Sequence, residues 1–198
     1  MIFTLIKSIY CKIQTLVYFL YNGLVLYRKR IKHGTNFQIN GFITILGRGK
    51  ISIGNDVRIN SSFLSNPIGG DTKTIFNTFT CGEIVIGDHC GISNASILAR
   101  EKVIIGNNVL IGGSTQIFDN DFHPISPSVR FSNDERLISA KPIIIQDGAF
   151  IGARCIILKG VSIGFNSVVG AGSVVTKSIP DNEIWAGNPA RFIKRIPN

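Results

Sequence analysis

The stretch FDNDFHPI, residues 118–125, sets Asp119 and Asp121 just ahead of His123, one of three histidines in the chain. An imidazole with an ordinary pKa of about 6.5 can take a proton from a hydroxyl or amine near neutral pH, so His123 is a general-base candidate. A carboxylate at Asp119 or Asp121 would accept from the other ring nitrogen and fix the tautomer. The same two side chains would serve equally well as loop caps or solvated surface groups. All three together could hold a divalent metal, but the neighbouring sequence offers no further ligands. Cys11, Cys81, Cys90 and Cys155 show no C-x-x-C spacing, and His33 and His89 have no paired spacing with His123, so no metal is expected.

Those residues interrupt a regular pattern. Ile145, Ile151, Ile157, Ile163, Val169 and Val175 stand six apart. Upstream, Ile86, Ile92 and Leu98 keep the step, one residue is inserted, and Ile105, Ile111 and Ile117 resume it. A weaker version runs through Ile39, Ile45, Ile53 and Ile59. A period of six is not helical. It predicts a solenoid in which each hexapeptide supplies a short strand and a corner, with the branched residue inward. The small neighbours Gly87, Ser93, Gly106, Gly112, Gly152, Gly164 and Gly170 are expected to let the chain turn. Residues 118–142 then form a loop inserted at a corner, where solenoids carry function.

A chain of 198 residues, 44% hydrophobic, can bury one sizeable core. The expected division is an N-terminal segment, 1–37, and one solenoid domain, 38–196. The net charge of +9 is concentrated at the start: Lys7, Lys12, Arg28, Lys29, Arg30, Lys32, Arg48 and Lys50 all precede the first acidic residue, Asp56. No nucleic-acid module accompanies this charge, so an anionic surface or phosphorylated ligand is the expected partner rather than nucleic acid. Ile2, Ile6, Ile9, Ile13, Leu16 and Leu20 step by three and four, predicting a helix over about 2–22 that packs on the body or another subunit, or lies on an anionic leaflet. Lys7 and Lys12 interrupt the opening, and Ile13 to Tyr27 falls short of the roughly 20 residues of a spanning helix. With no small-residue cleavage site either, the expectation is a cytoplasmic protein that keeps this segment, with peripheral contact at the inner leaflet.

The segment GAFIGARCIILKGVSIGFNSVVGAGSVVTKSIPDNEIWAGNPARFI resembles the C-terminal half of the hexapeptide-repeat acyltransferases, the family of galactoside, maltose and serine acetyltransferases. The likeness extends over residues 38–196. It implies a left-handed parallel β-helix with three hexapeptides per coil; the hand comes from the resemblance, since parallel crossovers are normally right-handed. It also implies a homotrimer with active sites between subunits and acetyl-CoA as the acetyl donor. His123 matches the family's catalytic base, and Asn94 matches an amide near the reacting acetyl group or acceptor, though a corner asparagine in left-handed geometry explains Asn94 equally. Ala153 and Ala171 match positions whose N–H groups bond the pantetheine arm. Thr176, Lys177, Arg191 and Lys194 match the end that meets the adenosine phosphates. Phe150 falls where some sugar acetyltransferases carry a tryptophan beside the acceptor.

With its basic, apolar N-terminus and DNDFHPI, the chain is similar to O-acetyltransferases of capsule and lipopolysaccharide synthesis. The activity this implies is acetyl transfer to a carbohydrate hydroxyl in surface polysaccharide biosynthesis. The alternative is N-acetylation of an amino sugar carried on a nucleotide. Direct transfer competes with a covalent acyl-enzyme, for which Cys81, Cys90, Cys155 and Ser114 are the candidates.

Overall fold

A computed structural model describes residues 2–132 and 134–197, with side chains from residue 9 onward. One long helix precedes a stack of short strands. The helix, α1, spans Ile2–Arg28 and so runs past the expected end near residue 22. The side chains of Ile2 and Ile6 in the apolar repeat lie outside the described residues.

Six coils follow, each contributing one strand to each of three faces. The first holds β1 (Lys32–His33), β2 (Gln38–Gly41) and β3 (Thr44–Leu46), and the second β4 (Lys50–Ile53), β5 (Arg58–Ser61) and β6 (Ile75–Asn77). The third holds β7 (Glu83–Ile86), β8 (Gly91–Ser93) and β9 (Ser96–Leu98), and the fourth β10 (Lys102–Ile105), β11 (Leu110–Ile111) and β12 (Gln116–Phe118). The fifth holds β13 (Ile143–Ile145), β14 (Phe150–Ile151) and β15 (Ile156–Leu158), and the sixth β16 (Ser162–Ile163), β17 (Val168–Val169) and β18 (Val174–Val175). Each strand pairs in parallel with its equivalents one coil away, so the first, second and third faces are the sheets begun by β1, β2 and β3. The architecture is the expected left-handed parallel β-helix. The solenoid starts at β1, ahead of residue 38. It closes after Val175 with an antiparallel hairpin that the period of six does not announce, β19 (Glu183–Gly187) and β20 (Ala190–Arg195), added to the second face.

Period-six residues line the axis of the prism. Ile145, Ile151, Ile157, Ile163, Val169 and Val175 are fully buried, stacked over Ile105, Ile111 and Ile117. Each such side chain contributes about 1.5–3 kcal/mol by leaving water. Leu98 departs from the expected register: Ile97 takes the inward place, paired with Phe76 and Ile117, while Leu98 lies outside in line with Phe118.

Small residues at the corners act differently from expectation. At the first corner, between first and second faces, the turn is made by residues in left-handed geometry, including Asp56, His89, Asn108 and Asn166, and not by the glycine two places earlier. That glycine makes room. A Cβ on Gly87 would sit 2.6 Å from Asn107 Oδ1, and one on Gly164 would meet the Asp181 carboxylate. The space admits a ladder of side-chain oxygens: Asp88 accepts from the Asn55 amide (2.6 Å), Asn107 from Asp88 (2.8 Å) and Asp147 from Asn107 (2.8 Å).

The helix is part of the same body. Asn22 is buried, with its Nδ2 donating to Gly41 O (2.8 Å) and its Oδ1 accepting from Ile43 N (3.2 Å). Val25, Leu26 and Ile31 pack on the core, and Tyr18 and Tyr21 stand edge-on to Phe42. Removing residues 1–32 would therefore uncover the first coil, contrary to the picture of a detachable N-terminal segment.

Candidate active site

The expected insertion leaves the third corner between β12 and β13. Its base is tied by a bridge between Asn120 and Ala140 and by the bonds Asp121 N to Ser139 O (3.1 Å) and Lys141 N to Asp119 O (2.8 Å). Phe122 adopts a left-handed φ of 62° and lays its ring 5.2 Å from that of Phe118. His123 N donates to Asp121 O (2.7 Å), which fixes the backbone at the histidine. The side chain of His123 is exposed, and among the described residues its ring has no hydrogen-bond or ion-pair partner.

Neither aspartate orients that ring. Asp119 is fully buried and braces the coil beneath, accepting from the backbone N–H groups of Arg100, Glu101 and Lys102, each at 2.7 Å. Charge-assisted bonds of this kind are what a carboxylate needs to stay buried. Asp121 is ion-paired with Lys159 at the third corner of the fifth coil. The expectation that one of them fixes the His123 tautomer is thus not met within the chain. A divalent site shared by the three is also not formed, because both carboxylates are engaged elsewhere. His33 and His89 lie in β1 and at the first corner, away from His123.

A second insertion was not legible as one. Residues 62–74 leave the second corner between β5 and β6 and form a short 3-10 turn at Pro67–Gly69. The signal was available: no period-six hit falls between Ile59 and Ile86, and Asn-Pro and Gly-Gly lie in the gap. This loop covers Asn94, which has left-handed φ (46°) and is 1% exposed. Asn94 Nδ2 donates to Thr72 O (2.6 Å), and its Oδ1 is buried without a partner among the described residues. Asn94 therefore combines the corner geometry with one unsatisfied acceptor. Ser114 takes the same corner place one coil on, its Oγ donating to Gly69 O (2.8 Å), an arrangement that anchors the loop and leaves no base beside the hydroxyl.

Further along the second corner come Ala153 and Ala171. Ala153 O accepts from Gly172 N (2.8 Å), but the N–H groups of Ala153 and Ala171 have no acceptor among the described residues. Arg191 joins them: it pairs with Ala186 in the terminal hairpin, whose Gly187 N donates to Ser173 Oγ (3.0 Å) on the last coil. Thr176 and Lys177 instead follow β18 into the third corner, and Lys194 lies opposite Ile184 near the start of β19. All four of Thr176, Lys177, Arg191 and Lys194 are exposed. Phe150 is half-exposed on the second face, in line with Leu110 and Val168. The buried thiols are poor nucleophiles, since burial pushes the pKa of Cys90 and of Cys155 up.

One chain thus presents His123 at its third corner, and the free amides with Arg191 at its second. A long ligand held along the second corner would find hydrogen-bond donors and a cation there, but the base that would act on it lies on another edge.

A profile described as the hexapeptide repeat of succinyl-transferase matches residues 142–177. The chain is 38% identical over 103 residues to the galactoside O-acetyltransferase of Lactococcus lactis, covering 52% of this chain and 48% of that protein. It is 40% identical over 103 residues to the galactoside O-acetyltransferase of Escherichia coli, covering 52% and 49%. The chain so spans about half the length of the curated relatives it matches. Among solved structures, AntD, an N-acyltransferase from Bacillus cereus in complex with dTDP-4-amino-4,6-dideoxyglucose and coenzyme A, superposes with a TM-score of 0.67 at 26% identity over 84% of each chain. With its coils, its corner insertion and these likenesses together, the chain belongs to the hexapeptide-repeat acyltransferase family.

Proposed function

We propose that the protein is an acetyl-CoA-dependent acetyltransferase that moves an acetyl group onto a hydroxyl of a carbohydrate acceptor in surface polysaccharide biosynthesis. The observation that carries this reading is the His123 imidazole, held by its backbone on the inserted loop and left without a partner. The unpaired N–H groups of Ala153 and Ala171 suit the amide-bearing pantetheine arm, and the cations Lys177, Arg191 and Lys194 suit the adenosine phosphates. Acetyl-CoA supplies an activated acetyl thioester. His123 takes the proton of the acceptor hydroxyl as its oxygen bonds to the acetyl carbon, and returns a proton to the departing sulfur as the thioester bond breaks. Because His123 and the donor-binding corner lie on different edges, the working assembly is a homotrimer in which the third corner of one protomer faces the second corner of the next. In that setting Phe150 lies toward the acceptor, and Asn94 lies near the acetyl end.

A second reading has its own support. The likeness to AntD, with its nucleotide-linked amino sugar, extends over most of both chains, and an amine acceptor would use the same base. Release of free thiol from acetyl-CoA, followed over a panel of simple sugars, polysaccharide repeat units and nucleotide-linked amino sugars, separates the two. The O-acetyl reading expects turnover with hydroxyl acceptors, and turnover restricted to amino sugars overturns it in favour of the second. With any accepted substrate, His123→Asn should lower kcat by about 10²–10⁴-fold.

A further inference from the structure

We propose that α1 and the basic residues that follow it form a docking surface for an anionic phospholipid leaflet, with the helix lying in the plane of the membrane between lipid and prism. Ile9, Ile13, Leu16, Leu20, Leu24 and Tyr27 recur at helical spacing and form one stripe about 27 Å long at 1.5 Å per residue. Each is between 49% and 82% exposed. The opposite side of the helix carries Asn22, Val25 and Leu26, which bind it to the first coil. By length and composition Ile9–Arg28 could cross a bilayer, but its second half cannot stand upright in lipid while it remains bonded to Gly41 and Ile43. A helix docked on one side and apolar on the other fits the interface.

Charge selects the partner. Arg28, Lys29, Arg30 and Arg48 line a cleft of about 370 Å³ at the end of the stripe, with Gly47 and Thr78 on its wall. Lys29 Nζ donates to Gly47 O (3.0 Å). Among the described residues, none of Arg28, Lys29, Arg30, Lys32 and Arg48 has a carboxylate at ion-pair distance, and no acidic residue precedes Asp56. Such a collar repels the same collar on a second copy. It attracts lipid phosphates, at about 1 kcal/mol per cation near an anionic surface. This inference does not depend on the acetyl-transfer reading.

The test is co-sedimentation of the full chain with vesicles of phosphatidylglycerol mixed with phosphatidylcholine, against vesicles of phosphatidylcholine alone. Binding is expected to the anionic vesicles at low salt, weakening as salt is raised. The double variants Leu16→Glu with Leu20→Glu, and Arg28→Glu with Arg30→Glu, should each weaken it by at least about tenfold with the thermal unfolding midpoint unchanged. No sedimentation at low salt, or equal sedimentation of both variants, overturns the proposal. A drop in the lipid-free mass of the Leu16→Glu, Leu20→Glu protein also overturns it, because the stripe would then be covered by another copy.

Discussion

His123 and Asp119 are four positions apart, yet the fold gives them opposite employment. The carboxylate faces inward and holds three backbone amides of the coil beneath, whereas the imidazole faces solvent with nothing bonded to it. Sequence alone could not separate them, because both sit in one polar break and a carboxylate near a histidine is as often structural as catalytic. The structural assignment makes Asp119→Ala a stability variant. Leaving those N–H groups unsatisfied costs about 3 kcal/mol, which lowers the melting temperature of a chain of this size by roughly 6–12 °C. Acetyl transfer per folded molecule at low temperature should persist. A variant that keeps its melting temperature but loses turnover would return Asp119 to the catalytic group.

Elements with a strict period were the legible ones. Six register residues from Ile145 to Val175 predicted strands, inward side chains and stacking, because a branched residue every sixth position has few other physical uses. The signal failed where the spacing was broken by insertion or by a second apolar neighbour. Ile97 and Leu98 both satisfy composition, and only the pairing with Phe76 and Ile117 shows which turns inward. The loop at 62–74 passed unnoticed because it carries no titratable cluster like that of 118–142, although its turn signals were present. The glycines were seen, but for the wrong reason: the spatial neighbour they accommodate belongs to the next coil, which no local spacing reveals. The core itself is testable through Ile163, fully buried over Ile145. Ile163→Asp places an unpaired carboxylate in that column at a cost on the order of 4 kcal/mol or more. Calorimetry should find the melting temperature lowered by at least about 10 °C; an unchanged midpoint would contradict the stacked core.

At the scale of the whole molecule, the two halves of the proposed site occupy different edges of one prism, so assembly must complete it. Chain order gave no hint of this separation, since Asn94, His123 and Ala153 follow one another smoothly along the sequence while the corners alternate. The most direct measurement is complementation between His123→Asn, which lacks the base, and Ala171→Pro, which lacks one donor amide. Because Ala171 N–H has no acceptor within the chain, proline there removes no internal hydrogen bond. Each variant alone should be folded, and His123→Asn slower than the parent by about 10²–10⁴-fold. Mixed oligomers assembled by co-expression, with composition verified by mass, should regain thiol release from acetyl-CoA well above either variant, because one interface then unites an intact base with an intact donor corner. Mixed oligomers as inactive as the two variants, or full turnover by the His123→Asn protein, would contradict the account.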